Sequence, residues 1–394
     1  MRTILCVATY LKGEAFIREC RDRGWTVLLL TAEKLLDAGW PRDAIDEVFT
    51  IRREASDEEF RAAAARIARR HHIDRVTALD DFDVEAGAML REFLQLPGFG
   101  RTVAARFRDK LTMRTTARRL GIEVPEFSPL FTDAEIDEWA TRVQPPWVVK
   151  PRSSAAATGI RKVANRDELW GALDAIGDRR AACLVEQFVT GDVYHVDSIV
   201  SNGVVVFAAA SKYSRPPMQV AHDGGVFTTR LLPDASPEAR QLLDFNERLL
   251  TGFELEHGVS HSEYIGSPQG VTFLETSARV GGAYIADVVE AATGVNLWRE
   301  WASLETTDED RVYVPPTRRG EYGGIALSLA RQEEPDTSSY TDPEIVTRIR
   351  KHHHAGLIVR SRDPHRVEAL LSEYTERFSR DFLATMPVPE RPGE

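Results

Sequence analysis

Two glutamates on either side of a tight chain reversal are well suited to holding a metal ion. His261-Ser262-Glu263-Tyr264-Ile265 reads as one strand, Gly266-Ser267-Pro268-Gln269-Gly270 as a turn, and Val271-Thr272-Phe273-Leu274-Glu275-Thr276-Ser277-Ala278-Arg279 as the returning strand. Side chains alternate faces along a strand. A turn spanning Gly266 to Gly270 sets Ile265 opposite Val271, Glu263 opposite Phe273 and His261 opposite Glu275, making the glutamates diagonal neighbours about 7 to 8 Å apart at the backbone. Two carboxylates on one face repel unless a cation neutralises them, and oxygen-only ligands at this spacing suit Mg2+ bridging nucleotide phosphates. Ser277 and Arg279 continue the face, adding a small oxygen donor and a fixed positive charge where a transferring phosphoryl group needs them. An exposed acidic face with an arginine counter-ion explains the same residues without function.

Upstream, the apolar strand in Pro146-Trp147-Val148-Val149-Lys150-Pro151 delivers Lys150 just before a small-residue loop, Ser153 to Gly159. Few Cβ atoms obstruct backbone N–H groups there, and the lysine offers a point charge to anionic oxygens. Val185-Glu186-Gln187-Phe188-Val189 is an apolar strand that breaks at a polar pair, so it can present backbone donors and acceptors to a purine edge, with Asp192 or His195 meeting ribose hydroxyls. A solvated strand end and an ordinary edge strand are the plainer explanations of these two stretches.

The elements that must position these residues fall into two styles. The first hundred residues alternate β and α: strands at Ile4 to Ala8, Val27 to Leu30, Val48 to Ile51 and Arg75 to Ala78, with helices from Gly13 to Arg23 and Asp57 to His71, predict a small parallel sheet ending near Gly100. Arg101 to Gly121 reads as one charged helix stopped by Gly121. After Trp147 antiparallel strands dominate, and Asn202-Gly203 between two apolar runs is the sharpest hairpin signal. From about Glu321 come two strands, Gly323 to Leu329 and Gly356 to Arg360, then a helix from Pro364 to Phe382. The Pro-rich tail from Met386 is expected to fray.

With 394 residues, the chain suits two or three domains. A formal charge of -11, with 50 Lys and Arg against 61 Asp and Glu, argues against a nucleic-acid partner. Cys6, Cys20 and Cys183 contain no CxxC and suggest neither a disulfide framework nor a zinc knuckle. No apolar run reaches the length of a membrane span and no signal peptide is evident, so a cytoplasmic location without a membrane partner is expected.

Taken in order, Arg108-Asp109-Lys110-Leu111-Thr112-Met113, Val149-Lys150-Pro151, Glu186-Gln187-Phe188-Val189 and Glu275-x-Ser277-x-Arg279 resemble the ATP-grasp superfamily, in its carboxylate-amine ligase and biotin-carboxylase-like branch. The resemblance implies an α/β (α+β) ATP-grasp fold: a parallel-sheet pre-ATP-grasp domain over 1–100, an ATP-binding region over 101–310 with a lid at about 125–190, and a small C-terminal subdomain over 311–394 that completes the ATP-grasp core. It implies ATP and Mg2+ as cofactors, Lys110 and Lys150 on ATP phosphates, Glu186 to Val189 at the adenine, Glu263 and Glu275 on Mg2+, and Arg279 beside an acyl phosphate. The family usually has Asn where this chain has Ser277, a shorter ligand, which puts the second metal's geometry in question. The implied activity is ADP-forming ligation of a small carboxylate, such as an amino acid, to an amine. Carboxylation through carboxyphosphate and ATP sensing without turnover are the alternatives, and a homodimer is allowed.

Other polar stretches suggest less. Lys212, Tyr213, Arg215, His222 and Asp223 form a loop rich enough to select a substrate. His352-His353-His354 and His71-His72 read as solvated segments, and Asp80-Asp81-Phe82-Asp83 as an acidic helix start. GxGxxG after the first strand and GxxxxGK[ST] anywhere are both missing, which argues against dinucleotide and P-loop chemistry.

Overall fold

The computed structural model describes residues 2–154, 159–268, 270–307 and 311–384. Residues 155–158 of the small-residue loop, Gln269 of the turn and the tail from Met386 therefore lie outside the described residues.

Four strands near the N-terminus, β1 (Thr3–Ala8), β2 (Thr26–Ala32), β3 (Glu47–Ile51) and β4 (Arg75–Ala78), form a parallel sheet in the order β3-β2-β1-β4. β1, with every residue buried, is one of the two inner strands, as its apolar run from Ile4 requires. A second sheet of β5 (Phe127–Pro129), β6 (Trp147–Pro151), β7 (Arg161–Val163) and β8 (Cys183–Gln187) is antiparallel and ordered β5-β8-β6-β7. It packs on its own core, which includes Trp139, Trp147 and Leu169.

The main sheet holds β9 (Asp192–Ser201), β10 (Val204–Tyr213), β11 (Phe227–Leu231), β12 (Gly258–Ser267), β13 (Gly270–Ser277), β14 (Tyr322–Leu329), β15 (Ile345–Lys351) and β16 (His354–Ser361). Its order, β13-β12-β9-β10-β11-β14-β16-β15, makes the C-terminal strands part of the same sheet. Asn202 and Gly203, both at positive φ, turn β9 into β10, as the tight Asn-Gly reversal requires. One face of the sheet buries Tyr194, Tyr264 and Phe273 with Phe253 and Leu242 of the helix Pro237–Gly252 and its end. Phe273 is fully buried against the rings of Phe253 and Tyr264. Phe273→Ala should therefore lower unfolding stability by about 3–5 kcal/mol, measured by chemical denaturation.

Two expectations are corrected. The helix expected over Arg101 to Gly121 is two helices, Arg101–Arg106 and Lys110–Arg119. Asp109 caps the second by accepting the Leu111 N–H, and the Lys110 N–H donates to Arg152 O instead of continuing the first helix. The hairpin turn is also shorter than expected: Ser267 pairs with Gly270 and Gly266 with Val271. A β-bulge then shifts the register so that Glu263 lies directly opposite Glu275, not Phe273, and His261 opposite Ser277, not Glu275. The extra residue, Leu274, lets Phe273 face the core while Glu275 joins Glu263 on the other face.

Candidate active site

The break at Asp109 places Lys110 in the first turn of its helix, one turn ahead of Arg114 on the same side. Lys110 Nζ lies 3.0 Å from Glu275 Oε2 and donates to Ser154 O at 2.7 Å. Arg114, fully buried, donates from Nε to Glu186 Oε2 at 3.0 Å, and Lys150 of β6 forms an ion pair with the other oxygen of Glu186. Three cations thus converge on two carboxylates where the second sheet faces the main sheet. The surplus positive charge suits polyanionic phosphates.

Partial burial would raise the pKa of Glu275, but Lys110 and Lys150 overcome it and hold the group below its ordinary value. Glu186 is likewise held below its ordinary value by Arg114 and Lys150 against the opposing effect of burial. For Lys150, burial lowers the pKa and wins over the attraction of Glu186, with Arg114 and Lys110 adding to the fall, to about 8. Below that value the lysine is charged and attracts phosphate; as pH rises through it, the charge is lost. ATP affinity is therefore expected to fall as pH rises above about 8, and Lys150→Met to flatten that dependence, as read by isothermal titration.

Glu263 accepts a hydrogen bond from Tyr213 Oη at 2.8 Å. Arg279 donates to Val280 O at 2.9 Å, leaving its buried Nε without a hydrogen-bond partner, and its charge bears on Tyr213 and His261. Ser277 is half-buried opposite His261. The hairpin thus brings Glu263, Glu275 and Ser277 together at one end of the sheet, with Arg279 following them. This all-oxygen donor set, with Lys110 beside it, fits a hard divalent cation.

Residues proposed for the nucleotide's base and sugar sit differently from their sequence reading. The Glu186 side chain turns into the ion-pair cluster with Arg114 and Lys150. The Gln187 N–H donates to Glu126 O and the Phe188 N–H to Pro146 O, so strand pairing has already used them. Phe188 instead lies beneath the ammonium of Lys162 at 3.8 Å. Val189 packs with Leu274 on a small apolar cluster of Val193, Tyr213, Ile265 and Ile285. Asp192 points to the opposite face of the sheet, where it pairs with Lys212 at 2.6 Å beside Tyr194. His195 is 1% exposed, too enclosed for a ribose: Nδ1 meets Asp197 Oδ2 at 2.7 Å and Nε2 meets Thr229 Oγ1 at 2.8 Å. Alternation puts His195 on the face of Glu263 and Glu275, but its enclosure by β10 and β11 depends on strand order that local patterning does not contain.

Sequence reasoning also missed Arg114, whose spacing of four from Lys110 was the available signal. It missed Asp197, which is fully buried between His195 and His261. Burial would raise the Asp197 pKa, yet the two imidazoles hold it far below the carboxylate range. Conversely, burial would lower that of His261, but Asp197 and Glu263 raise it to about 9. Asp81 pairs with Arg108 at 2.6 Å, and Arg108 donates to Ser153 O at 2.7 Å. The segment read as an acidic helix start is thereby tied to the base of the small-residue loop. The three consecutive histidines occupy the turn and first residue of the β15-β16 hairpin, with His353 at positive φ.

A model of the ATP-grasp domain matches residues 107–249, which include Lys110, Arg114, Lys150 and Glu186. The chain carries an ATP-grasp domain. An L-arginine-specific L-amino acid ligase of Bacillus subtilis is 22% identical over 262 residues, or 64% of this chain and 62% of that protein. The chain thus spans a little under two thirds of the length of that curated relative. The structure of an L-amino acid ligase from Bacillus licheniformis superposes with a TM-score of 0.76 at 17% identity, covering 98% of this chain and 99% of that one. N5-carboxyaminoimidazole ribonucleotide synthetase from Thermus thermophilus gives 0.73 at 17% identity, with coverage of 98% and 99%. These superpositions show that the chain shares the fold of those structures over nearly its whole length, including the strands and hairpin beyond residue 249. No helix among the described residues is long and apolar enough to cross a membrane.

Proposed function

We propose that this ATP-grasp protein is an ADP-forming ligase that activates a small carboxylate with ATP and joins it to an amine, with amino acids as the substrate class. The observation that carries this reading is the direct cross-strand pairing of Glu263 with Glu275 on the face that meets Lys110. Relatives named as ligases of amino acids support the substrate class. The domain division is proposed as residues 1–100, 101–310 and 311–394.

Glu263 and Glu275, with Ser277 beside them, would hold Mg2+, which when bound neutralises phosphate charge and polarises the transferring phosphoryl group. Lys110 and Lys150 bind the phosphate oxygens as point charges, and Arg114 keeps Glu186 from capturing Lys150 alone. Leu274, Val189 and Ile265 offer an apolar floor for the base. The substrate carboxylate attacks the γ-phosphorus in line, ADP leaves, and the amine then displaces phosphate from the acyl carbon. Arg279 orients the acyl phosphate and stabilises the charge that develops on its oxygens. No protein nucleophile is needed, because positioning and charge neutralisation supply catalysis of phosphoryl transfer.

A coupled ADP-release assay with Mg·ATP and pairs of amino acids, followed by mass spectrometry, tests the proposal. ADP with a condensed product is expected. ADP release that requires bicarbonate and no amino acid would replace ligation with carboxylation, and tight ATP binding with no ADP under any pair would indicate a sensor.

A further inference from the structure

Beside the two glutamates stands an imidazole that the reaction above leaves unused. His261 precedes Glu263 by two residues on β12, and its cross-strand neighbours are Ser277 on β13 and Asp197 on β9. Its Nδ1 is 2.9 Å from Asp197 Oδ1, and its Nε2 is 3.7 Å from Glu263 Oε1. His261 is only 8% exposed and Asp197 fully buried, so the ring cannot turn without breaking a buried charged hydrogen bond. The backbone of Gly281 covers the pair: a Cβ there would come within 2.8 Å of Asp197 Oδ1 and 3.0 Å of His261 Nδ1. The chain just past Arg279 therefore holds this ring in place.

With Asp197 ionised, Nδ1 is the donor, and Nε2, turned towards Glu263, gives up its proton when a cation takes that place. A histidine that gives one N–H to a carboxylate and turns its other nitrogen to an acidic oxygen has the arrangement of a metal ligand with its outer carboxylate. Donors 3.7 Å apart can share a cation at roughly 2.1 Å from each when the angle between them is about 120°. His195, Asp197 and His261 also cluster closely enough to suggest a separate ion site. In that trio, however, the facing atoms are already hydrogen-bonded to one another, so its role is to orient His261.

Resting on the reading of Glu263 and Glu275 as the nucleotide-linked metal site, we infer that His261 Nε2 is a further ligand of the cation at Glu263. Asp197 is the residue that positions it. Mg2+ favours oxygen ligands, whereas imidazole suits the first-row transition cations. The site therefore prefers Mn2+ or Co2+ over Mg2+ more strongly than carboxylates alone would allow, and Ser277, short and directly across from His261, leaves room for the ring to reach the ion.

The test uses the full chain titrated with Mn2+, alone and with ADP, with bound ion read by electron paramagnetic resonance and bound nitrogen by electron spin echo envelope modulation. The wild type should show directly coordinated nitrogen. His261→Ala should lose it and weaken Mn2+ binding roughly tenfold or more, while Mg2+ affinity, read by competition, stays within about threefold. His261→Gln keeps most of the side-chain volume and should show the same loss if the alanine variant fails to fold. Asp197→Asn keeps the ring but removes the charge that fixes it, so nitrogen coupling should weaken and Mn2+ affinity fall about tenfold. Bound Mn2+ with no nitrogen coupling in the wild type, yet lost in Glu275→Ala, would overturn the role of His261 and leave the nucleotide site standing. Absence of both Mn2+ and ADP binding would overturn the two readings together.

Discussion

Glu275→Ala should lower kcat by roughly a thousandfold while the protein stays folded. The side chain is 35% exposed and makes its ion pair with Lys110 at the edge of the site. Its loss therefore creates no core cavity, and Lys110 keeps its hydrogen bond to Ser154 O. The predicted defect is in catalysis because, with one of the facing carboxylates gone, nothing on the returning strand holds the cation against the phosphates. Steady-state ADP release and thermal denaturation, measured side by side, separate the two effects. A folded variant with wild-type turnover would remove Glu275 from the site.

Lys150→Ala should raise the KM for ATP at least about tenfold and lower kcat by about a hundredfold. This substitution should also cost stability, unlike the first, since Lys150 is 4% exposed and paired with a buried Glu186. Breaking a buried pair typically costs about 3–5 kcal/mol, and Arg114, still 2.9 Å from Glu186, reduces that loss. Lys150→Met, which fills the space without the charge, should recover part of the stability and none of the ATP affinity. Lys150→Arg should not restore turnover fully, because a planar fork cannot occupy the place of a compact ammonium. An unchanged KM in a folded Lys150→Met variant would show that the phosphates lie elsewhere.

Much of the site was legible because alternation along a strand is a local property. It put Glu263 and Glu275 on one face, and Asn202-Gly203 marked its hairpin without reference to anything distant. The register was not legible, since nothing in Phe273-Leu274-Glu275 announces that Leu274 is the extra residue of a bulge. The bulge exists because Phe273 is pulled into the core by Phe253 and Tyr264, both outside its own strand. The helix break before Lys110 was hidden for a similar reason: the Lys110 N–H is taken by Arg152 O across 42 positions of sequence. Glu186, read as facing a base, turns inward because Arg114 and Lys150 reach it from two other elements. His195 and Asp192 were misplaced because the enclosure and partners of a side chain depend on which strands flank it. The resemblance to the ATP-grasp superfamily supplied the long-range order that local patterning lacked.

A crystal structure with Mg·ADP bound tests the central claim most directly. The nucleotide should lie between the second sheet and the main sheet, its phosphates near Lys110 and Lys150, with a cation within about 2.2 Å of oxygens from both Glu263 and Glu275. A nucleotide bound elsewhere, or a cation in the cleft touching neither glutamate, would contradict it.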